Sequence, residues 1–411
     1  MIVRTRLHEC SHHDPHFTLL QQIEQDPAIV NANAQNPTPN HYFFHTVNEL
    51  LNCKERYIAQ INEARSAGYD IAWYSNSTCD IAPYGGTMLE YFEFQAGAYH
   101  EHGIATESKQ WNCIDKGLYQ PGKTSKSVRL AIIKYLDEAN LLHKLDYSLK
   151  VLNPNDPNQN QDVLETQQQA IDSVNGTLEY FLGFNRSMDI DMSDIVSNGV
   201  QHYVGYPYHN HIYANTGWSL ITESNTGFNI PGPHNIEGNG YQDGPMISEK
   251  SYRPIMNSHP FVMVGEWGLH EHLKSLGYQT FEKFYGVELE QFYPFSMSDL
   301  NHGERTIFED YESIRNVVSQ FYNNISANQD EVREMVTYNK QLLIANYNKT
   351  KQWLLDKDEY VFGSHGPKAM KLYDYLWQAI SYRNNNGKDI PMMDGPANAP
   401  EDLLIHLDQL T

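Results

Sequence analysis

The chain has 411 residues, 40% of them apolar, and a formal net charge of −22. Such a length suits two domains of ordinary size or one large α/β unit. So acidic a surface repels phosphate backbones and anionic lipids, which argues against general nucleic-acid affinity and leaves only a local basic patch for it.

No run approaches the roughly 18 apolar residues of a membrane span, and the opening "MIVRTRLHECSHHDPHF" lacks the apolar core of a signal peptide. The expectation is a soluble, cytoplasmic protein with no membrane partner. Its four cysteines, Cys10, Cys53, Cys79 and Cys113, show no CxxC or finger spacing and read as reduced thiols.

In chain order, residues 47 to 66 carry apolar side chains at helical spacing, and Gly68 then separates that helix from the strand-like "YDIAWYS". "KSVRLAIIKYLDEANLL" predicts a second amphipathic helix, with Val128, Ile132, Tyr135, Leu136 and Ala139 on one face. The polar tract at 153 to 162 reads as a linker or surface loop, and residues 171 to 202 are acidic and poorly periodic. "GWSLITES" and "HPFVMVG" then read as short buried strands, and "LHEHLKSLGYQTF" as a helix, a glycine stop and a strand. Two long helices follow over 311 to 325 and 330 to 355, and one more around "KAMKLYDYLWQAISY" before a Pro/Gly-rich tail.

Alternating strands and helices predict an α/β fold of parallel sheets covered on both faces. Ligands in such folds sit at the carboxyl ends of strands. That rule selects Glu223, Ser224 and Asn225 after "WSLIT", and Ser248, Glu249 and Lys250 before a helix constrained by Pro254. Proline is tolerated in a first turn and disruptive further in, so the helix is expected to start near Ser251 or to kink. Either way Glu249 and Lys250 stand at a helix end that favours phosphate. Taken alone, the pair also fits a solvated helix start.

The ordered set "GWSLITESNTG", a Gly/Pro-rich spacer and "ISEKSYRPIMNSHPFVMVGEWGLHEHLKSLGYQTF" resembles the nucleotide-binding half of fucosyltransferase-like glycosyltransferases of the GT-B architecture. It is closer still to glycosyltransferase-like proteins of large phages and viruses. The likeness covers residues 120 to 360, with Ser248 where the family usually has threonine. It implies two Rossmann-like domains facing across a cleft: an acceptor domain over 1–150, a nucleotide-sugar domain over 151–355, and a segment at 356–411 crossing back to the first domain.

By position, the resemblance implies that Glu249 binds the donor ribose and that Lys250 and Arg129 meet the diphosphate. Glu223, Ser224, Asn225 and Ser248 complete the donor site, and His209, His211 and Arg253 are cleft candidates. The implied reaction moves a sugar from a nucleotide diphosphate sugar to an acceptor hydroxyl, with inversion and with no metal or cofactor beyond that co-substrate. Two fixed cations can hold the charge that builds on the departing diphosphate.

Inversion needs a carboxylate to take the acceptor's proton. Asp80, following the strand "IAWYS", is the expected base, with Glu90, Glu93 and Asp115 as further candidates. The phage likeness points to a hydroxymethylated pyrimidine in DNA as one acceptor, modified in the cytoplasm of a host cell, although the net charge opposes duplex binding. Saccharide and protein acceptors stay open, as does a non-catalytic nucleotide- or glycan-binding protein of the same fold. A Rossmann oxidoreductase is disfavoured because no GxGxxG follows the first strand. The His-x-His pairs at 100–102, 209–211 and 270–272 can chelate on a strand, but 19 histidines produce such pairs by chance.

Overall fold

Apolar runs buried on both faces build the centre of two sheets. The computed structural model describes residues 1–7, 18–46, 54–75, 81–101, 111–123, 127–154, 161–185, 196–197, 200–201, 213–223, 247–264, 269–287, 312–362, 367–381 and 404–410. In chain order the strands are β1 (Ile2–Leu7), β2 (His41–Thr46), β3 (Asp70–Ser75), β4 (Gly86–Met88), β5 (Gly117–Lys123), β6 (Leu145–Lys150), β7 (Val196–Ser197), β8 (Val200–Gln201), β9 (Trp218–Thr222), β10 (Phe261–Val264), β11 (Glu359–Phe362), β12 (Lys368–Lys371) and β13 (Ile405–His406). The helices are α1 (Leu19–Gln25), α2 (Pro27–Gln35), α3 (Lys54–Ser66), α4 (Tyr91–Glu101), α5 (Ser127–Glu138), α6 (Gln161–Ser173), α7 (Leu178–Leu182), α8 (Glu249–Met256), α9 (Leu269–Ser275), α10 (Glu312–Ala327), α11 (Gln329–Asp356) and α12 (Leu372–Ser381).

The first sheet has the order β13-β12-β11-β1-β2-β3-β4. Its strands from β11 to β4 are parallel, while β12 and β13 pair antiparallel at one edge. The sheet is therefore mixed, where parallel sheets alone were expected. The short link between β11 and β12 explains it, since a parallel return needs a crossover of a dozen residues or more. β11 lies beside β1, so the chain's last strands join a sheet begun by its first residues.

The second sheet, β10-β9-β5-β6, is parallel throughout. β5 and β6, which lie within residues 1–150, pair here and not with the first sheet. β9 and β10 are buried at every position, as expected of strands covered on both faces. From β5 the chain runs to β6 on one side and later to β9 on the other, so the strand order reverses between β5 and β9. In open α/β sheets that reversal opens a crevice at the carboxyl ends.

Both glycine stops read from the sequence close their helices with left-handed backbone, Gly68 and Gly277 each at φ 95. The strand expected after Gly277 is absent. Gln279 gives its N–H to Asn339 Oδ1 at 2.8 Å and takes Asn339 Nδ2 on its carbonyl at 2.7 Å. A side chain of α11 thus satisfies this backbone in place of a ladder. The segment "KAMK", expected as helix, is β12, and α12 starts only at Leu372. α5 is buried on more than its predicted face, because Leu130, Ala131 and Ile133 are covered as fully as Val128, Ile132 and Leu136. α4 packs against α11 and α8 and so joins the two sheets.

Candidate functional site

The candidate site lies where β9 ends and α8 begins. Glu223, the residue after β9, continues the ladder by giving its N–H to the Val264 carbonyl at 3.0 Å. Its side chain has no exposure at all. Oε1 accepts the Ser248 N–H at 3.0 Å and the Ser251 hydroxyl, and Oε2 accepts the Ser248 hydroxyl at 2.5 Å. Three donors on one buried carboxylate satisfy most of its lone pairs, so Glu223 clasps the start of α8 to the end of β9.

Ser248 is the N-cap of α8, with extended backbone and its side chain accepting the Lys250 N–H at 3.3 Å. Lys250 Nζ lies 3.1 Å from the same oxygen. The ammonium and the Glu223 carboxylate thus share one hydroxyl, and the buried negative charge is answered within two hydrogen bonds. The helix starts at Glu249 and not near Ser251, with Pro254 inside it. Having no N–H, Pro254 donates nothing to the Lys250 carbonyl one turn back. The Ser248 cap and the Glu223 clasp fix where the helix begins.

Lys250, Arg253 and Pro254 face a cleft whose floor is Leu118 and Gln120 of β5 and Ser219 to Thr222 of β9, with Tyr213 closing one side. It spans the crevice where the strand order reverses and holds about 300 Å³ of empty space, mouth included. Only about 20 Å³ of it is open to the centre of a water molecule, room for about one water, so a larger ligand enters only if the Lys250 side chain swings aside. Arg253 is 3% exposed, and its charge reaches the Tyr213 hydroxyl. Burial pushes that hydroxyl up to about 12, and the guanidinium pulls it back. Tyr213 also stacks edge-on against His259. The His259 ring is held between Ser219 Oγ at 2.9 Å and the Thr216 carbonyl at 2.8 Å, and burial pushes its pKa down to about 4. It is a neutral wedge behind the cleft wall.

The structure therefore brings Glu223, Ser248, Lys250 and Arg253 together. Arg129 is buried in the first turn of α5. Among the described residues it does not line the cleft. Its charge is felt instead by the fully buried Tyr119, whose strand neighbours Leu118 and Gln120 do line it. Asp80, Ser224, Asn225, His209 and His211 lie outside the described residues, as does the side chain of Glu249. Asp115 is exposed just before β5, at the amino end of the second sheet and away from the cleft. Among the described residues, no group of three or more His, Cys, Asp or Glu could hold a metal ion.

Set beside known proteins, the chain matches no protein-family model, no curated protein and no solved structure. The site therefore stands on its own geometry. Sequence reasoning missed Ser251 and Tyr213. Ser251 had a local signal, since Ser248 and Ser251 lie three apart and share one helix face. Tyr213 had none, because it meets α8 only through the fold.

Proposed function

We propose that the protein is a glycosyltransferase of GT-B-like architecture that moves a sugar from a nucleotide diphosphate sugar to an acceptor hydroxyl. One observation carries this reading: Lys250 and Arg253 share a cleft at the strand-order reversal between β5 and β9, with the helix that bears them clasped by Glu223. Two cations over apolar and neutral polar walls suit a diphosphate, and they become most valuable when its charge grows as the sugar departs. Arg129, opening the helix after β5, is proposed to meet the same phosphates from the other side of that strand. Glu249, first in α8, is proposed to hold the ribose.

Among the described residues that line it, the cleft has two cations and no carboxylate, which suits a small anionic co-substrate more than it suits a long polyanion. A hydroxymethylated pyrimidine in DNA, a saccharide and a protein all remain open as acceptors, and Asp80 is proposed as the base.

A panel of nucleotide diphosphate sugars in a thermal-shift series tests the reading. At least one donor should raise the melting temperature of the wild type, and Lys250→Ala, measured against its own unliganded melting temperature, should lose most of that rise. No shift with any donor, or equal shifts in wild type and Lys250→Ala, would overturn it.

A further inference from the structure

The two sheets meet through a pair of carboxylates that the proposed reaction does not use. Glu90 precedes α4 and Glu93 lies in its first turn, directly after edge strand β4 of the first sheet. Glu93 is 4% exposed. Its Oε1 accepts from the Tyr278 hydroxyl and from Asn346 Nδ2 at 2.7 Å. Glu90 Oε2 accepts from the Tyr252 hydroxyl at 3.3 Å, and His272 Nε2 stands 3.4 Å from its Oε1. The acids belong to the first sheet's end of the contact. The groups facing them come from α8, from α9 and the segment after it, and from α11.

Those facing groups are two phenols, an amide and one imidazole. Of the lysines nearest along the same helices, Lys351 pairs with Glu101 at the far end of α4, and Lys340 acts on His100. Among the described residues neither Glu90 nor Glu93 has a lysine or arginine in an ion pair. Glu93 is the buried one of the two, and its ionised form meets only neutral donors and the like charge of Glu90.

We propose that this cluster is a proton-operated latch between the two sheets: with Glu93 protonated, α4 is held against α11 and the segment after α9, and its ionisation beside Glu90 loosens that contact. Burial first, and then the charge of Glu90, push Glu93 up to about 7, against the lowering effect of Tyr278 and Asn346. In an opened contact the side chain would be solvated and return towards its ordinary 4.5. Closing therefore takes up a proton from solvent. The latch is firmest below the ordinary value, weakens as pH rises from there through about 7, and is level above. Each unit of difference is about tenfold in the closing equilibrium, so two units are about a hundredfold. Tyr252 sits between Lys250 and Arg253 on α8, so the latch sets how the cleft helix rests on the first sheet.

Hydrogen exchange of the full chain between about pH 5.5 and about pH 8.5, corrected for the intrinsic amide rate, tests this without any donor. Amides of α4 should lose at least about tenfold in protection across that range in the wild type, and Glu93→Gln should show no such slope. Tyr278→Phe removes a donor to the ionised form and should move the midpoint of the loss to higher pH. A flat wild-type profile, a Glu93→Gln profile with the wild-type slope, or a Tyr278→Phe midpoint that stays put or falls would each overturn the latch. Tyr278→Phe serves if Glu93→Gln does not fold.

Discussion

The Ser248 hydroxyl donates to Glu223 and accepts from both the backbone and the ammonium of Lys250. Ser248→Ala should therefore cost about 1 kcal/mol through the lost cap, plus the cost of a Glu223 oxygen left without its donor. Glu223→Ala should cost more, roughly 3 kcal/mol, because it strands the Ser248 and Ser251 donors in a dry site. Urea denaturation of the two variants checks both the direction and the order. Ser248→Thr, which keeps the hydroxyl, should stay within about 0.5 kcal/mol of wild type. A charged pair at a helix start was legible in "SEK". The clasp was not, since Glu223 meets partners 25 and 28 residues further on, and no local pattern announces a contact made by folding.

Among the elements, α4 and α11 make the closest approach that a single atom can test. A Cβ on Gly97 would lie 2.3 Å from Tyr347 Cβ and Cγ, and the backbone of α4 offers it no escape. Gly97→Ala should force α11 outward and lower stability by about 1 to 3 kcal/mol. Thermal or urea unfolding measures it, and a neutral result would mean that the helices slide apart freely. The same contact shows why some elements were legible and others not. Buried strands such as "WSLIT" and "FVMV" announce themselves as apolar runs, and Gly68 and Gly277 as stops. "KAMK" runs on into a helical pattern and becomes a strand only because β11 lies beside it. "YQTF" looks like a strand, yet Asn339 of α11 takes its backbone groups and Glu93 takes its tyrosine. For "YQTF" partners distant in sequence outweighed the local pattern, and for "KAMK" the neighbouring strand did.

For the whole molecule, buried titratable groups set opposing pH terms. Burial holds both His259 and His270 down at about 4, against an ordinary 6.5. A depressed histidine gives stability that is present above the ordinary value and lost as pH falls towards the folded one. Glu93 works the other way over nearly the same window. Two histidines outweigh one carboxyl of similar shift, so global stability should rise with pH between about 4.5 and about 6.5. Urea midpoints across that window check it, and a falling midpoint would contradict it. The local α4 contact is expected to weaken over the same rise, which separates the latch from global unfolding. The acidic surface was legible from composition. The partition of the chain was not, since β5 and β6 lie before residue 151 yet join the second sheet, and only strand pairing decides that.

The most direct test of the account is release of nucleoside diphosphate from a nucleotide diphosphate sugar, followed over hours with wild type and with Lys250→Ala. Slow release by the wild type from at least one donor, reduced about tenfold or more in the variant, is the predicted result. Release by neither protein from any donor, or equal release by both, would contradict the claim that this cleft holds the leaving diphosphate.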